Sequence, residues 1–303
     1  MATTMIRTLN LNDFSNLESM ETGIEDDYVK RIFNRLITGN NRLYGLFSDG
    51  QLVSYGGFTI YAKRYAMLGR LRSDRRYRGR NFATTLMSHI MHEAFKLNGI
   101  QWVGANTQED NLATRRILEK LGMKQESVLH GALTKDTKAL ESGAKPWNKI
   151  YDLKRKKDWI NEVYVKKTAV FPYECYYPLP ASKELFPEDH LLEWSFYEND
   201  ARTRFLITKK DQKKHHYLHA VYPWSDITKQ AGLWETIAND YHQLVEQTAD
   251  ETYIWMDLTK EEVQSLPGDH KFTLPSPWIL HGMERKKWKE SVKAVASFST
   301  LHH

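Results

Sequence analysis

The chain has 303 residues, 41% hydrophobic and 27% charged, with 43 basic against 38 acidic side chains and a formal net charge of +5. That is enough apolar material for one large or two ordinary cores. It holds no apolar run near the roughly 20 residues of a membrane span, and it lacks the dense basic stripe of a nucleic-acid binder. The single cysteine, Cys175, rules out an intrachain disulfide, and the first ten residues carry no apolar signal core. Both features fit a cytoplasmic protein in which Cys175 is an inert packed thiol.

Taken in chain order, MIRTLNL reads as a strand and residues 12–38 as helical pieces broken at the acidic ETGIEDD. A hairpin follows over 42–62, with Asp49-Gly50 as its turn pair. Residues 65–74 read as a strand. After Gly79 the period changes: Phe82, Leu86, Ile90 and Ala94, with Ala83, Met87, Met91 and Phe95, form the buried stripe of a helix over 82–98. Strand 100–107, helix 111–122 with Gly122 as its stop, and strand 126–135 complete an α/β layer around a mixed sheet.

Residues 136–160 read as a polar connector with some helix, and the proline-bearing 173–189 as irregular. Then comes a second α/β pattern: a hairpin around Lys210–Lys213, a helix over 232–248 and a strand over 252–258. The run VLHGALTK (128–135) aligns without gaps onto ILHGMERK (279–286), and the preceding helix and strand fall into step. The expected organisation is a domain over 1–140, a connector over 141–170 and a second α/β domain over 171–303.

The segment RYRGRNFA (76–83) raises the question of function. A helix N-terminus leaves backbone N–H groups unpaired and carries partial positive charge. A glycine just before it lets an anion approach, and arginine forks onto phosphate oxygens. The arrangement reads as a pyrophosphate cradle or as a solvated Arg-rich turn.

This segment resembles the pyrophosphate loop of the GNAT acyltransferase superfamily, Arg/Gln-x-x-Gly-x-Gly/Ala, at Arg76 and Gly79. Asn81 stands where Gly or Ala is usual. NLATRRILEKLGM (111–123) is similar to the superfamily's next motif at Asn111, Glu119, Lys120, Leu121 and Gly122. The resemblance covers about residues 5–135. It implies a GNAT-like mixed sheet with helices on both faces, followed by a second, degenerate GNAT-like domain, and acetyl-CoA as co-substrate. Carried over by position, Arg76 and the run Arg78, Gly79, Arg80, Asn81, Phe82 and Ala83 would hold the pyrophosphate, Leu71 and Ser73 the pantetheine arm, and Asn111 would lie near it. The Ser73 N–H would stabilise the oxyanion.

Two departures bear on mechanism: Leu118 replaces the usual proton-donating Tyr, and strand 65–73 has no carboxylate. Glu25 and Asp26 are the alternative bases, and Tyr55 would line the acceptor cleft. No metal is expected, because neither the pair His89 and His92 nor the cluster His215, His216 and His219 has an evident Cys or carboxylate partner. The loop 226–234 lacks arginines, so no second CoA is expected. The implied reaction is acetyl transfer to a primary amine of a small molecule or peptide, against the alternative of an acyl-CoA-binding regulatory module. A third reading, an aminoacyl-tRNA-dependent transferase, is opposed by the CoA-type loop and the moderate charge. Neither the acceptor nor the oligomeric state can be read from the sequence.

Overall fold

The computed structural model describes residues 3–300, with side chains as far as Lys293. Strand β1 (Thr4–Thr8) leads into three short helices, α1 (Phe14–Glu18), α2 (Tyr28–Arg31) and α3 (Phe33–Leu36). The hairpin of β2 (Asn41–Ser48) and β3 (Gln51–Tyr61) turns at Asp49 and Gly50, both with positive φ as a tight hairpin turn requires. Next come β4 (Tyr65–Ser73), α4 (Phe82–Lys96), β5 (Trp102–Gln108), α5 (Leu112–Lys120) and β6 (Lys124–Thr134). The order then runs β7 (Asn148–Ile150), α6 (Leu153–Ile160), β8 (Val170–Glu174), β9 (Tyr177–Pro180), α7 (Glu188–Glu193) and β10 (Ser195–Glu198). Strands β11 (Phe205–Gln212) and β12 (His216–Val221), α8 (Leu233–Gln247), β13 (Thr252–Leu258), α9 (Lys260–Ser265), β14 (Trp278–Glu284) and α10 (Arg285–Thr300) complete the chain.

These elements form two compact units, and neither is a contiguous stretch. The first contains 1–107, 111–126 and 280–303; the second contains 108–110 and 127–279. The expected boundary would place 127–140 with the first domain and 280–303 with the second. The units hold them the other way round.

In the first unit the strand order is β1-β2-β3-β4-β5-β14. The first three pairings are antiparallel and β4–β5 is parallel. On one face, Leu86, Met87, Ile90, Met91, Ala94 and Phe95 of α4 are buried with Leu118 of α5 and Met283 of β14. These include most of the stripe expected from periodicity. On the other face, Val29, Phe33 and Leu36 of the short helices close over Leu43, Phe47 and Tyr55. The C-terminal segment is part of this unit's fabric. Trp288 stacks on Phe95 with ring centroids 4.8 Å apart, and Arg285 donates to the carbonyls of Leu97 and Ile100.

In the second unit the order is β7-β10-β11-β12-β13-β6. Again there are three antiparallel pairings and then a parallel one, β12–β13, followed by antiparallel β6. Helix α8 buries Trp234, Ile237, Tyr241 and Leu244 on one face of that sheet. On residues 173–189 the sequence reading is corrected in part. Pro172, Pro178 and Pro180 do not prevent an antiparallel β8–β9 hairpin, because a two-stranded ribbon leaves its outer N–H positions unused.

Candidate active site

The β3–β4 ladder breaks near the end of β4. Tyr55 pairs with Arg72 and Gly57 with Gly69, so Gly56 alone opposes Arg70 and Leu71. This is a bulge, and Arg70 takes a left-handed conformation in it, φ +60°. The parallel ladder with β5 covers only Tyr65–Leu68 against Trp102–Ala105. Beyond Leu68 the two strands have no mutual ladder, so the end of β4 pairs with β3 on one side only.

Directly after that opening, the chain makes a short turn, Arg75–Tyr77, and reaches α4. Gly79 has φ +80°, and a side chain there would meet nothing within 4 Å. Asn81 is left-handed at φ +60°, the tolerance expected of Asn in place of Gly, and it makes no side-chain cap. The first backbone N–H groups of α4 therefore have no side-chain acceptor, and they follow a segment where Arg78, Gly79, Arg80 and Asn81 are all exposed. Phe82 and Ala83 are half-buried at the helix start. Arg80 lies over the Tyr77 ring, 5.4 Å from its centroid. A groove lined by Asn81, Thr84, Ser88 and His92 of α4 and by Lys120 and Leu121 runs on from the helix start.

The remaining predicted residues are placed as follows. Arg76 is held at the base of the loop. Its guanidinium pairs with the buried Asp74 at 2.5 Å and with Glu21 at 3.3 Å, and donates to the Ser19 carbonyl. Hydrogen bonding from Arg76 holds the Asp74 carboxyl below its ordinary range. Leu71 packs at the rim of the α4 core. Ser73 ends β4 with its hydroxyl 3.1 Å from that of Ser54. Asn111 caps α5, accepting from the Thr114 N–H at 3.2 Å. Glu25 is exposed, and Asp26 is exposed and paired with Arg31. Tyr55 is 0% exposed, and its hydroxyl donates to Asp27 at 3.1 Å. Leu118 is likewise fully buried, among the α4 core residues.

Two carboxylates organise this region: Asp27, which the sequence reading named only within the acidic segment 21–27, and Asp74, which it did not single out. Asp27 is buried, caps α2 through the Val29 N–H, and takes both a 2.7 Å and a 2.8 Å bond from Arg72. Burial pushes its carboxyl up, but the Arg72 and Val29 donors more than offset this, and the group titrates below its ordinary range. Asp74 accepts from the N–H groups of Glu21 and Arg76, which ties the acidic segment to the basic loop. The available signal was local: each Asp stands immediately before a short helix, where its oxygen satisfies orphan N–H groups.

A bulged strand that parts from its parallel neighbour and ends at an exposed, arginine-flanked helix N-terminus is a candidate site for an anionic ligand. The sequence profile of the acetyltransferase (GNAT) family matches residues 5–123. That part of the chain is a GNAT acetyltransferase domain. No curated protein sequence matches the chain significantly. Among solved structures, it resembles a GCN5-related N-acetyltransferase from Sphaerobacter thermophilus, 12% identical, covering 93% of this chain and 96% of that one, with a TM-score of 0.58. It also resembles a Pyrococcus horikoshii protein assigned as an acetyltransferase, 12% identical over 93% of this chain and 89% of that one, TM-score 0.51. At such identity the shared feature is the fold. Among the described residues, no helix is long and apolar enough to cross a membrane.

Proposed function

We propose that the first unit transfers an acetyl group from acetyl-CoA to a primary amine of a small molecule or peptide. The observation that carries this reading is the open N-terminus of α4 directly after the β4–β5 divergence. The N–H groups of Phe82 and Ala83, with Arg78 and Arg80, would receive the pyrophosphate. The pantetheine arm would lie along Leu71–Ser73, near Asn111. The amine nitrogen attacks the thioester carbonyl, and the Ser73 N–H holds the developing oxyanion. The C–S bond breaks and CoA leaves as a thiolate. Its thiol pKa of about 8.5 makes this a tolerable departure without a dedicated acid. The ammonium proton goes to Glu25 or to water.

We read the second unit as a degenerate copy of the first, without a CoA cleft, on the support of its matching strand order. A second reading of the whole, a binding module with little turnover, is favoured by one observation: Leu118 is packed in the core at the position of the usual acid. One screen separates the two. Thiol release from acetyl-CoA is followed across polyamines, aminoglycosides, amino acids and peptide N-termini. Release with at least one amine supports the enzyme. Tight acetyl-CoA binding with no release above background supports the module.

A further inference from the structure

The sheet face of the second unit opposite α8 carries an unusual set of polar residues. Lys209 pairs with His219 and His219 with Trp255 across the ladders, so alternation puts Lys209, Asp211, His219, Trp255 and Asp257 on one face. The turn of the β8–β9 hairpin presses Cys175 onto it, next to Tyr217 and Trp255. One potential ligand atom each from Cys175, Asp211 and His219 lies within 4.8 Å of the others. Sequence reading found no partner for His219. The fold supplies two: Asp211 across the neighbouring strand, and Cys175 from a segment 44 positions away along the chain.

Two observations give this cluster direction. His219 is 0% exposed, and its Nε2 is 2.8 Å from Asp257 Oδ2, whereas its Nδ1 has no hydrogen-bond partner. An unpaired polar atom in a buried site keeps its desolvation cost unless something fills the role. A carboxylate fixing one ring nitrogen while the other is left for coordination is the usual second-sphere arrangement around a histidine ligand. Asp257 is itself held by the Trp255 indole N–H at 3.0 Å, and Asp211 accepts from the Cys175 backbone N–H at 2.7 Å.

We propose that Cys175, Asp211 and the Nδ1 of His219 form a site for a thiophilic divalent cation of the zinc class, clamping the β8–β9 hairpin to strands β11 and β12. Sulfur, imidazole and carboxylate together select zinc or cobalt over magnesium or calcium. Bonds of about 2.0–2.3 Å place such donors roughly 3–4 Å apart, so a contraction of about 1 Å completes the set. On binding, the Cys175 S–H bond gives way to a metal–sulfur bond and its proton passes to solvent. Lys213, now 3.3 Å from Asp211, keeps Glu174 as its partner at 2.7 Å. Lys209 is the cation that opposes the metal, and its ammonium is directed onto the carbonyls of Pro172 and Tyr173. The same Cys–His–Asp order would suit a thiolate nucleophile, but Cys175 is 0% exposed and no acyl group reaches it.

The test uses the full-length chain, without a histidine tag, stripped with chelator and titrated with Co²⁺ and then Zn²⁺. The expected result is one equivalent of Co²⁺ with an intense near-ultraviolet sulfur-to-cobalt charge-transfer band, displaced by Zn²⁺. Cys175→Ser abolishes the band, and Asp257→Asn keeps it while weakening affinity about 10–100-fold. Should the variants fail to fold, X-ray absorption on the zinc-loaded wild type decides, with one sulfur scatterer at about 2.3 Å expected. A saturating Co²⁺ titration without the band, a band that persists in Cys175→Ser, or a zinc shell of nitrogen and oxygen alone overturns the proposal.

Discussion

The two units share three antiparallel pairings followed by a parallel one, yet the strand ends before their long helices differ. In the first, a bulge at Arg70 and Leu71 interrupts the β3–β4 ladder, and the four-residue ladder between β4 and β5 leaves the end of β4 without a partner on its β5 side. In the second, β11 and β12 pair without a register shift, and β12 continues one residue past its five-residue ladder with β13. The helix starts differ in the same sense. Gly232, left-handed before α8 as Asn81 is before α4, has the Lys145 carbonyl and the Trp147 ring against it. Its N–H reaches the Ser142 hydroxyl, and Glu235 in the first turn accepts from Ser142 and Ala144. The segment 142–147 covers the start of α8, whereas Gly79, two residues before the start-cap Asn81 of α4, faces open space. One strand order thus carries two different helix entries, depending on a bulge and on what covers one helix end.

The largest expected effect comes from cutting the chain between the halves. Residues 1–140 lack β14 and α10, so the first unit would lose Met283 from its core and Trp288 from Phe95. The fragment is expected to show no cooperative unfolding transition, whereas the full chain does. Calorimetry on both decides the matter, and a fragment with a sharp transition and full acetyl-CoA affinity would show that the exchanged strand is dispensable.

Next in size is Arg72→Ala, which leaves the buried Asp27 carboxylate without its counter-ion. Breaking a buried pair by removing one partner costs about 3–5 kcal/mol. The pH dependence follows from the depressed Asp27 pKa. Its stabilisation is fully present above the ordinary carboxylate range and is lost as pH falls through the lower folded-state value. Denaturant melts between pH 7 and pH 3 should show an acid-dependent loss in the wild type that is reduced in Arg72→Ala; parallel curves would remove Asp27 from the account. Asp27→Asn should also loosen the 21–27 segment.

The paired glycines sharpen the comparison further. Gly79→Asp adds negative charge where phosphate is proposed to sit; its Cβ meets no atom within 4 Å, though the left-handed φ of +80° adds some backbone strain. A loss of about 100-fold in acetyl-CoA affinity, roughly 2.7 kcal/mol, is expected, with a smaller fall in melting temperature than at Gly232. Gly232→Ala should do the reverse, because its methyl would strike the Lys145 carbonyl at a left-handed position. Titration calorimetry and thermal melts on both variants check this crossing of effects. Equal affinities for wild type and Gly79→Asp would take the loop out of the site.

Much of the first unit was legible because its signals are local. The α4 stripe, the Asp49-Gly50 turn and the Gly79–Asn81 entry each arise within a few residues. The exchange of β6 and β14 was not, because VLHGALTK and ILHGMERK are near-equivalent strands and nothing within either says which sheet edge it joins. Gly131 lies against Trp255 in one unit, and Gly282 against Trp102 in the other, so both strands carry the same small residue for the same purpose. The acidic segment was read by composition. Four carboxylates in ETGIEDD look alike in sequence, and only the fold separates the buried Asp27 from the exposed Glu25 and Asp26. Tyr55 followed the same course: the resemblance set it toward the acceptor cleft, but the α1–α3 layer that buries it could not be anticipated from β3 alone.

The smallest expected effect on rate is at Leu118, and it separates packing from chemistry. A positioned acid contributes about 10²–10⁴-fold to a rate, but a leucine has no proton to give. Leu118 is also fully buried among the core residues of α4, so Leu118→Ala removes buried methyl groups and should cost about 2–5 kcal/mol of stability. Turnover per folded molecule should stay within about threefold, because positioning alone can supply about 7–11 kcal/mol of the barrier reduction. The rate is measured as thiol release well below the variant's melting temperature, with the folded fraction fixed by circular dichroism. A fall of a hundredfold at unchanged folded fraction would mean that the Leu118 packing sets the cleft geometry, and that the start of α4 and the core beneath it act as one element.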